Sequence, residues 1–199
     1  HSFPTRRSSD LKRMAFVLAR YKFVAKMLSG KEKVAELGCG DAFGSRIVQQ
    51  EVGSLHVYDF DPVFIADIEG RKSPQWPLVA SVHDILTGPL PHAPFDAMYS
   101  LDVMEHIEQA REETYIENLK ASLAEHGLLI VGMPSLESQA HASPQSKIGH
   151  VNCKSGKALK SLFEHHFHNA LLFSMNDEVV HTGFEIGRAS CRERVSSPV

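Results

Sequence analysis

The fold of this chain is decided by residues 34–46, VAELGCGDAFGSR, which predict a buried strand, a glycine turn and the start of a helix. Gly38 and Gly40 can adopt positive φ and let a ligand approach the backbone closely. The helix that follows would present unpaired N–H groups at its N-terminus, where acceptor groups of a ligand can bind. The stretch therefore favours a nucleoside cofactor at this turn, and the alternative is an ordinary strand-turn-helix without a ligand.

The spacing around the turn argues against a pyrophosphate cofactor. In the dinucleotide pattern G-x-G-x-x-G the third glycine would occupy position 43, which is Phe43. The strand also ends with an acid, Glu36, two residues before the first glycine. A carboxylate at this place suits a cofactor with a positive charge and an amino group, because both would make charge-assisted hydrogen bonds with it. S-adenosylmethionine has both groups.

Glu36, Gly38 and Gly40 match the acid-x-Gly-x-Gly turn of the class I S-adenosylmethionine-dependent methyltransferases, and the chain resembles small-molecule members of that family. Ala42 replaces the usual third glycine. The resemblance implies an α/β, doubly wound fold with a mostly parallel seven-stranded sheet and a C-terminal antiparallel hairpin. It also implies S-adenosylmethionine as the cofactor and methyl transfer to a small-molecule acceptor, with a hydroxyl oxygen favoured because no N-P-P-Y-like motif is present.

The resemblance places the cofactor at the ends of successive strands. Asp59 ends a predicted second strand, where an acid can accept both ribose hydroxyls. Asp84 closes a predicted third strand and, in the resembling family, this acid accepts from the adenine amino group. The alternatives are a solvated loop acid at position 59 and a turn aspartate that bonds its own backbone at position 84. The predicted cofactor-binding residues are Glu36, Gly38, Cys39, Gly40, Asp59, Phe60, Asp84, Ile85 and Leu101.

Two histidines are candidates for catalysis. The predicted fourth strand is followed by DVMEHI at residues 102–107, a segment frequent in small-molecule members of the family. Ligands of an open parallel sheet bind at the carboxyl ends of its strands, so His106 is expected to border the cofactor site. His150 lies in a long polar loop, residues 134–152, which we expect to act as a substrate lid. Either histidine suits a general base by its ordinary pKa, and the alternative is a histidine bonded to backbone.

The same segment offers a metal site as an alternative to the metal-free site that we expect. Asp102, Glu105, His106 and His150 could supply oxygen and nitrogen ligands to one divalent ion. Some O-methyltransferases of ubiquinone biosynthesis and of small-RNA ends carry a similar acid-x-x-Glu-His arrangement. The first acid is Asp102 here instead of Glu, and its shorter side chain would leave the site incomplete.

The remaining elements follow from periodicity and from turn residues. Helices are predicted over residues 12–28, 45–51, 62–69, 111–126 and 155–167. Strands are predicted over residues 33–37, 55–59, 78–82, 95–101, 128–133, 170–175 and 178–184. The last two strands are expected to pair about a short turn at Asn176 and Asp177.

The two ends of the chain are interpreted as artefact. One DNA that encodes EIGRASCRERV, residues 185–195, reads HSFPTRRSSDL on its opposite strand, which is the sequence of residues 1–11. The expected domains are therefore an artefactual flank (1–11), a methyltransferase domain (12–184) and a second artefactual flank (185–199). Genuine sequence is then expected to be missing at both ends. The flanks carry five arginines and three acids, so the net charge of −3 becomes about −5 for the remainder.

Composition narrows the function classes. Because residues 12–184 carry a net negative charge, their electrostatics do not favour general binding to nucleic acids or membranes. Cys39 and Cys153 have no C-x-x-C spacing, which fits a reduced cytoplasmic protein, and no apolar run is long enough for a membrane span. The competing functions are an NAD-dependent oxidoreductase, disfavoured by Phe43, and a non-catalytic cofactor-binding relative. The oligomeric state and the acceptor do not follow from the sequence.

Overall fold

The computed structural model describes residues 11–176 and 179–182 of the 199-residue chain. A five-stranded parallel sheet forms its centre, with the strand order β3-β2-β1-β4-β5. The strands are β1 (Lys33–Leu37), β2 (Ser54–Asp59), β3 (Val79–Val82), β4 (Phe95–Leu101) and β5 (Leu123–Gly132). The expected α/β architecture is thereby confirmed.

The central strand β1 is buried on both faces because both faces of the sheet are covered. Val34 and Ala35 are both fully buried, and they belong to two different hydrophobic clusters. Successive side chains of a strand point to opposite faces, so each cluster lies on one side of the sheet. A near-continuous apolar run is the expected pattern for a parallel strand covered on both sides.

Helices cover the two faces. The first cluster includes residues of α1 (Leu11–Met27), α2 (Ser45–Gln49) and α3 (Pro62–Gly70). The second is packed against α4 (Glu112–Ser122) and α6 (Gly156–His166). α3 begins as its sequence predicts, because Asp61 caps it by accepting from the Val63 backbone N–H at 2.9 Å.

The predicted seven-stranded sheet was wrong. Five strands form the parallel sheet, and β6 (Phe173–Asn176) and β7 (Val179–Thr182) pair antiparallel as a separate two-stranded sheet. The expected hairpin within the main sheet is therefore not confirmed, and part of its turn, at Asp177, lies outside the described residues. Most of the predicted artefactual flanks, residues 1–10 and 185–199, also lies outside them. Alternation of apolar residues predicts a strand but not the sheet that it joins.

The helix predicted over residues 111–126 ends four residues earlier, at Ser122. The Ser122 hydroxyl donates to the Asn118 carbonyl at 2.7 Å and accepts from the Leu90 backbone N–H at 2.8 Å. Leu123 already has an extended backbone and pairs with Phe95 of β4. Tertiary bonds at Ser122 and strand pairing thus override the helical periodicity that continues to His126.

The strand order reverses between β1 and β4, which is where open α/β sheets bind ligands. The predicted lid contains a 3-10 helix, Glu137–His141, and the short helix α5 (Pro144–Gly149). Among the described helices, none is both long enough and apolar enough to cross a membrane.

Candidate functional site

The glycine turn connects β1 to α2 at the carboxyl edge of the sheet. Gly38 and Gly40 have φ values of 76° and 53°, in the left-handed region that favours glycine. The backbone N–H groups of Gly38 and Cys39 donate to the Tyr58 carbonyl at 2.8 and 3.1 Å. A Cβ atom at Gly38 would lie 2.1 Å from a methyl carbon of Val103, so the turn also requires glycine for space.

Ala42 lies in the same turn with a φ of 53°, although it carries a Cβ atom. This is the position where the family usually has its third glycine. The left-handed conformation is therefore kept here without the residue that adopts it most easily.

Glu36 lies inside the protein, beneath the turn, with a side chain that is 1% exposed. Its Oε2 accepts from the Ser45 hydroxyl at 2.5 Å and from the Tyr99 hydroxyl at 2.7 Å, and its Oε1 accepts from Tyr21 at 2.9 Å. Burial raises the pKa of Glu36, while these hydroxyl donors act in the opposite direction. The sequence predicts that this carboxylate binds the cofactor, and the structure adds that it joins α1, β4 and α2.

Asp59 and Asp84 lie at the ends of neighbouring strands. Asp59 accepts from the Gly40 backbone N–H at 2.9 Å and from the Asp61 N–H at 2.9 Å, which fixes its carboxylate against the glycine turn. Asp84 accepts from the Leu86 N–H at 2.9 Å, as a turn aspartate does. The His83 N–H donates to the Asp59 carbonyl at 2.9 Å and joins the two strand ends. The structure therefore brings the glycine turn, Asp59 and Asp84 to one edge.

Two apolar residues beside these acids differ in exposure. Phe60 is 74% exposed, which is unusual for so large an apolar side chain, whereas Ile85 is buried. Leu101, at the end of β4, is also buried, and its side chain packs against Gly132. Phe60 thus offers a free aromatic face next to Asp59.

Asp102 follows β4 in a left-handed conformation, with a φ of 57°. Its N–H donates to the Gly132 carbonyl at 2.8 Å, and its carboxylate accepts from both terminal nitrogens of Arg20, at 2.5 and 2.6 Å. Sequence reasoning missed Arg20, because no pattern distinguishes it within the helix. The neighbouring residue Tyr21 donates to Glu36, and sequence reasoning did not single it out either.

Glu105 is a buried carboxylate without a hydrogen-bond partner in the described part of the chain. Its side chain is 1% exposed, and the nearest ion-pair contact is to His106 Nε2 at 3.9 Å. Burial, and then the negative charge of Asp102, raises the pKa of Glu105 to about 8. A buried polar group without a partner is costly, which indicates that this carboxylate accommodates a proton or a cation.

The two candidate histidines face each other, with ring centroids 5.2 Å apart. His106 Nδ1 bonds the Gly149 carbonyl at 2.8 Å, and His150 Nδ1 bonds the side-chain oxygen of Gln139 at 2.9 Å. Because both partners are acceptors, both Nδ1 atoms carry hydrogen in the neutral rings, which leaves the Nε2 lone pairs available. Burial, and then the charge of His106, lowers the pKa of His150.

Ligand atoms of Glu105, His106 and His150 all lie within 4.8 Å of one another. The structure thus brings together three of the four residues in the alternative metal set. Asp102, expected as the fourth, is instead paired with Arg20.

The lid is attached at the same place. The N–H groups of Val151 and Asn152 donate to the Glu105 carbonyl at 2.8 and 3.1 Å, and the Asn152 side-chain amide donates to Glu112 at 2.7 Å. These bonds position His150 beside the residues that follow β4.

Comparison with known proteins supports the resemblance to methyltransferases. Residues 34–127 match the family model described as a methyltransferase domain. A probable S-adenosylmethionine-dependent methyltransferase of Mycobacterium tuberculosis (strain H37Rv) is 27% identical over 103 residues, which cover 51% of this chain and 35% of the relative. The chain thus matches about a third of that relative's length.

Solved structures share the fold. The N-methyltransferase NodS of Bradyrhizobium japonicum, in complex with S-adenosyl-L-homocysteine, has a TM-score of 0.57 at 19% identity, over 76% of this chain and 79% of NodS. A putative methyltransferase of Haloferax volcanii, in complex with the activator Trm112, has a TM-score of 0.67 at 14% identity, over 94% of this chain and 81% of that one.

Proposed function

We propose that this chain methylates a hydroxyl oxygen of a small molecule. The premise is that residues 34–127 form a domain of the class I S-adenosylmethionine-dependent methyltransferases. The observation that carries the proposal is the pair of histidines after β4, each with Nδ1 bonded to an acceptor and Nε2 available. A neutral hydroxyl is a poor nucleophile until a base removes its proton, whereas a neutral amine is already a good nucleophile.

The edge formed by the glycine turn and the ends of β2, β3 and β4 would hold the cofactor. Asp59 would accept hydrogen bonds from the ribose hydroxyls, and its bond to the Gly40 N–H keeps its carboxylate in place for them. Phe60 and Ile85 would contact the adenine, and Asp84 would accept a hydrogen bond from its amino group. Gly38, Cys39 and Gly40 allow close approach of the cofactor to the backbone, beside Leu101. Glu36 acts from beneath the turn, by fixing the position of α2 and of Tyr21.

When bound, the sulfonium of S-adenosylmethionine supplies a methyl group that is already activated for displacement. The protein therefore contributes mainly alignment, exclusion of water and a base. His106 Nε2 accepts the proton of the acceptor hydroxyl, while the bond from its Nδ1 to Gly149 keeps the ring in this tautomer. His150 lines the same space from the lid and, with its lowered pKa, is neutral near pH 7.

A second form of the mechanism uses a divalent cation. It is favoured by the buried carboxylate of Glu105, which has no hydrogen-bond partner among the described residues. Glu105, with His106 and His150 through their Nε2 atoms, would hold the ion. Metal-bound histidines commonly donate their other N–H to a carbonyl or amide oxygen, as both do here. Such an ion would lower the pKa of the acceptor hydroxyl, and His106 would then act as a ligand instead of a base.

Calorimetry and turnover test the proposal. The purified chain is titrated with S-adenosylhomocysteine and with NAD, and methyl transfer from labelled S-adenosylmethionine is then measured over a panel of hydroxylated acceptors. Binding of S-adenosylhomocysteine alone, followed by transfer to a hydroxyl, is expected. Binding of NAD alone would favour an oxidoreductase, and binding without transfer would favour a non-catalytic relative.

Chelation separates the two forms of the mechanism. Turnover that is unchanged by EDTA would exclude the metal-assisted form. Loss of turnover in EDTA, with recovery on addition of a divalent ion and unchanged binding of S-adenosylhomocysteine, would support it.

A further inference from the structure

A second group of metal-ligating side chains lies where the C-terminal end of α6 meets α4, and it shares no residue with the candidate functional site. His166 is the last residue of α6. Glu113 and Glu117 lie four positions apart on α4, so both are on the same face of that helix. One ligand atom from each of the three residues lies within 4.8 Å of the other two. We call these three residues the α4–α6 cluster.

The fold fixes the histidine of this cluster in place. The His166 side chain is only 6% exposed, although its helix ends there. The next residue, Phe167, donates its backbone N–H to the Phe163 carbonyl at 2.9 Å, and both phenylalanines pack against the second hydrophobic cluster. The side chains of Glu113 and Glu117 are 71% and 49% exposed. A buried imidazole thus lies behind two carboxylates that water and ions can reach.

The two ring nitrogens of His166 have different environments. Nδ1 lies 3.1 Å from Glu117 Oε1 with the geometry of a hydrogen bond, so we assign the hydrogen of the neutral ring to Nδ1, which donates it. Nε2 then keeps its lone pair and lies 3.4 Å from Glu113 Oε2. Two acceptors that face each other repel unless a positive charge lies between them. The arrangement therefore requires a proton or a metal ion between Nε2 and Glu113.

The distance between these two atoms favours a metal ion. Charge-assisted N–H···O hydrogen bonds are about 2.7–2.9 Å long, which is shorter than this separation. Neighbouring ligand atoms of a tetrahedral zinc ion are about 3.4 Å apart, since each lies about 2.0–2.2 Å from the metal. The 3.4 Å between His166 Nε2 and Glu113 Oε2 equals that value. Zinc-bound histidines commonly donate their other N–H to a carboxylate, as Nδ1 does to Glu117.

The charge and chemistry of the α4–α6 cluster also suit a cation. Glu113 and Glu117 bring two negative charges, and Lys120, whose Nζ lies 3.7 Å from Glu117 Oε1, offsets one of them. Imidazole nitrogen and carboxylate oxygen are both ligands of Zn²⁺, and imidazole also suits copper, iron and nickel. The cluster therefore matches a divalent transition-metal ion.

We propose that His166 Nε2 and Glu113 bind a divalent transition-metal ion that joins α6 to α4, with Glu117 as a positioning residue that holds the imidazole ring. Water fills the remaining coordination positions. The inference is independent of the proposed function, because it concerns a structural ion. α6 follows the lid along the chain, and Glu112, next to Glu113 on α4, accepts from Asn152 of the lid at 2.7 Å. The ion thus fixes the segment to which the lid is attached.

Calorimetry with ZnCl₂ tests the site in a chain that carries His106→Gln and His150→Gln, which removes the other candidate metal set. After treatment with EDTA and dialysis, this chain is expected to bind one equivalent of zinc. His166→Gln is expected to abolish this binding. Changing an outer-shell partner already costs about 10- to 100-fold in metal affinity, so Glu113→Gln, which changes a direct ligand, should cost at least about 10-fold. Glu117→Ala should cost about 10-fold, and Glu117→Gln less, because its amide oxygen still accepts from Nδ1–H.

Thermal melting and hydrogen exchange provide readouts that an ion pair alone would not change. Zinc at about ten times its Kd should raise the Tm by about 4 °C. It should also slow the exchange of the Phe167 N–H, which closes the last turn of α6. Neither effect should appear in His166→Gln. His168→Gln is the matched control, since it removes an exposed histidine two positions further along the chain and should leave both effects unchanged.

The outcomes separate a metal site from an ion pair. Zinc affinity that is unchanged in either His166→Gln or Glu113→Gln would overturn the proposal. Absence of zinc binding in the chain with the intact α4–α6 cluster would overturn it as well, and a proton would then be the positive charge between the imidazole and the carboxylate. If His166→Gln does not fold, as judged by thermal melting, Glu113→Gln carries the test, because the Glu113 side chain is exposed.

Discussion

The two halves of the carboxyl edge differ in how completely their polar groups are bonded. On the side of β1 and β2, both oxygens of Glu36 and both oxygens of Asp59 accept hydrogen bonds. On the side of β4, neither oxygen of Glu105 has a partner among the described residues, nor does Arg20 Nε. We call the first half the closed scaffold, because bonds within the protein already fix its carboxylates, and the second the open half, because it keeps buried donors and acceptors without partners among the described residues.

The difference has a physical origin in the chain segments that build each half. Asp59 bonds to Gly40 in the glycine turn and to Asp61 at the N-cap of α3, which are 19 and 2 positions away, and Glu36 bonds to Tyr99 of the neighbouring strand β4. The second half is assembled from α1, the segment after β4 and the lid, with separations of 82 positions for Arg20 and Asp102 and 43 for His106 and Gly149. Such contacts can rearrange without disrupting the sheet, so this is the half that we expect to move when ligands bind.

The largest effect is expected in the closed scaffold. Glu36→Ala removes the acceptor of three hydroxyls and leaves a cavity, so the free energy of unfolding should fall by about 4 kcal/mol, as measured by urea denaturation. The exposed Glu32→Ala is the control and should change it by less than about 0.5 kcal/mol. A loss below about 1 kcal/mol for Glu36→Ala would remove the contrast between the two halves.

The next effect concerns turnover in the open half. His106→Ala should lower kcat about 100-fold because the base is lost, while binding of S-adenosylhomocysteine should remain within about threefold of the wild type. Steady-state kinetics and calorimetry measure the two quantities. His126→Ala, at an exposed histidine of β5, is the control. A variant with wild-type kcat would show that the protein does not use this base.

The third effect concerns pH and the buried carboxylate. Because the pKa of Glu105 is about 8 in the folded chain and ordinary in the unfolded chain, protonation stabilises the fold. The wild type should therefore lose stability as pH rises from about 4.5 to 8, and Glu105→Gln should be more stable at pH 8 by about 2 kcal/mol. Urea unfolding with EDTA present tests this. For the exposed Glu108→Gln, the free energy of unfolding should depend on pH as in the wild type. If Glu105→Gln shows the same pH dependence as the wild type, the prediction is contradicted.

The smallest effect is local and concerns the lid. Asn152→Ala removes the amide bond to Glu112 and should lower the free energy of local opening by about 1 kcal/mol. Faster hydrogen exchange at Val151 and Asn152, whose N–H groups bond the Glu105 carbonyl, would report this opening. The exposed Lys157→Ala should leave that exchange unchanged. Unaltered exchange in Asn152→Ala would mean that other contacts hold the lid.

Prediction from the sequence worked where the signal was local. The glycine turn, the five parallel strands and the Asp61 cap follow from glycine conformation, apolar runs and capping chemistry, all of which act within a few residues. It was wrong where a distant contact competes with a local one, as at Ser122, which ends α4 early through its bond to Leu90. The number of strands in the main sheet was wrong for the same reason, because the sheet to which β6 and β7 belong depends on tertiary pairing.

For the candidate site, the sequence by itself determined which residues stand at the strand ends: Asp59 and Asp84 after β2 and β3, and the acid-histidine segment after β4. Only the tertiary structure decided where their charges point. It buried Glu36 among hydroxyls, paired Asp102 with Arg20 and brought His150 beside His106. The physical reason is that the end of a strand is set by residues that are close in the sequence, whereas the partner of a side chain depends on segments that only the packed fold brings together.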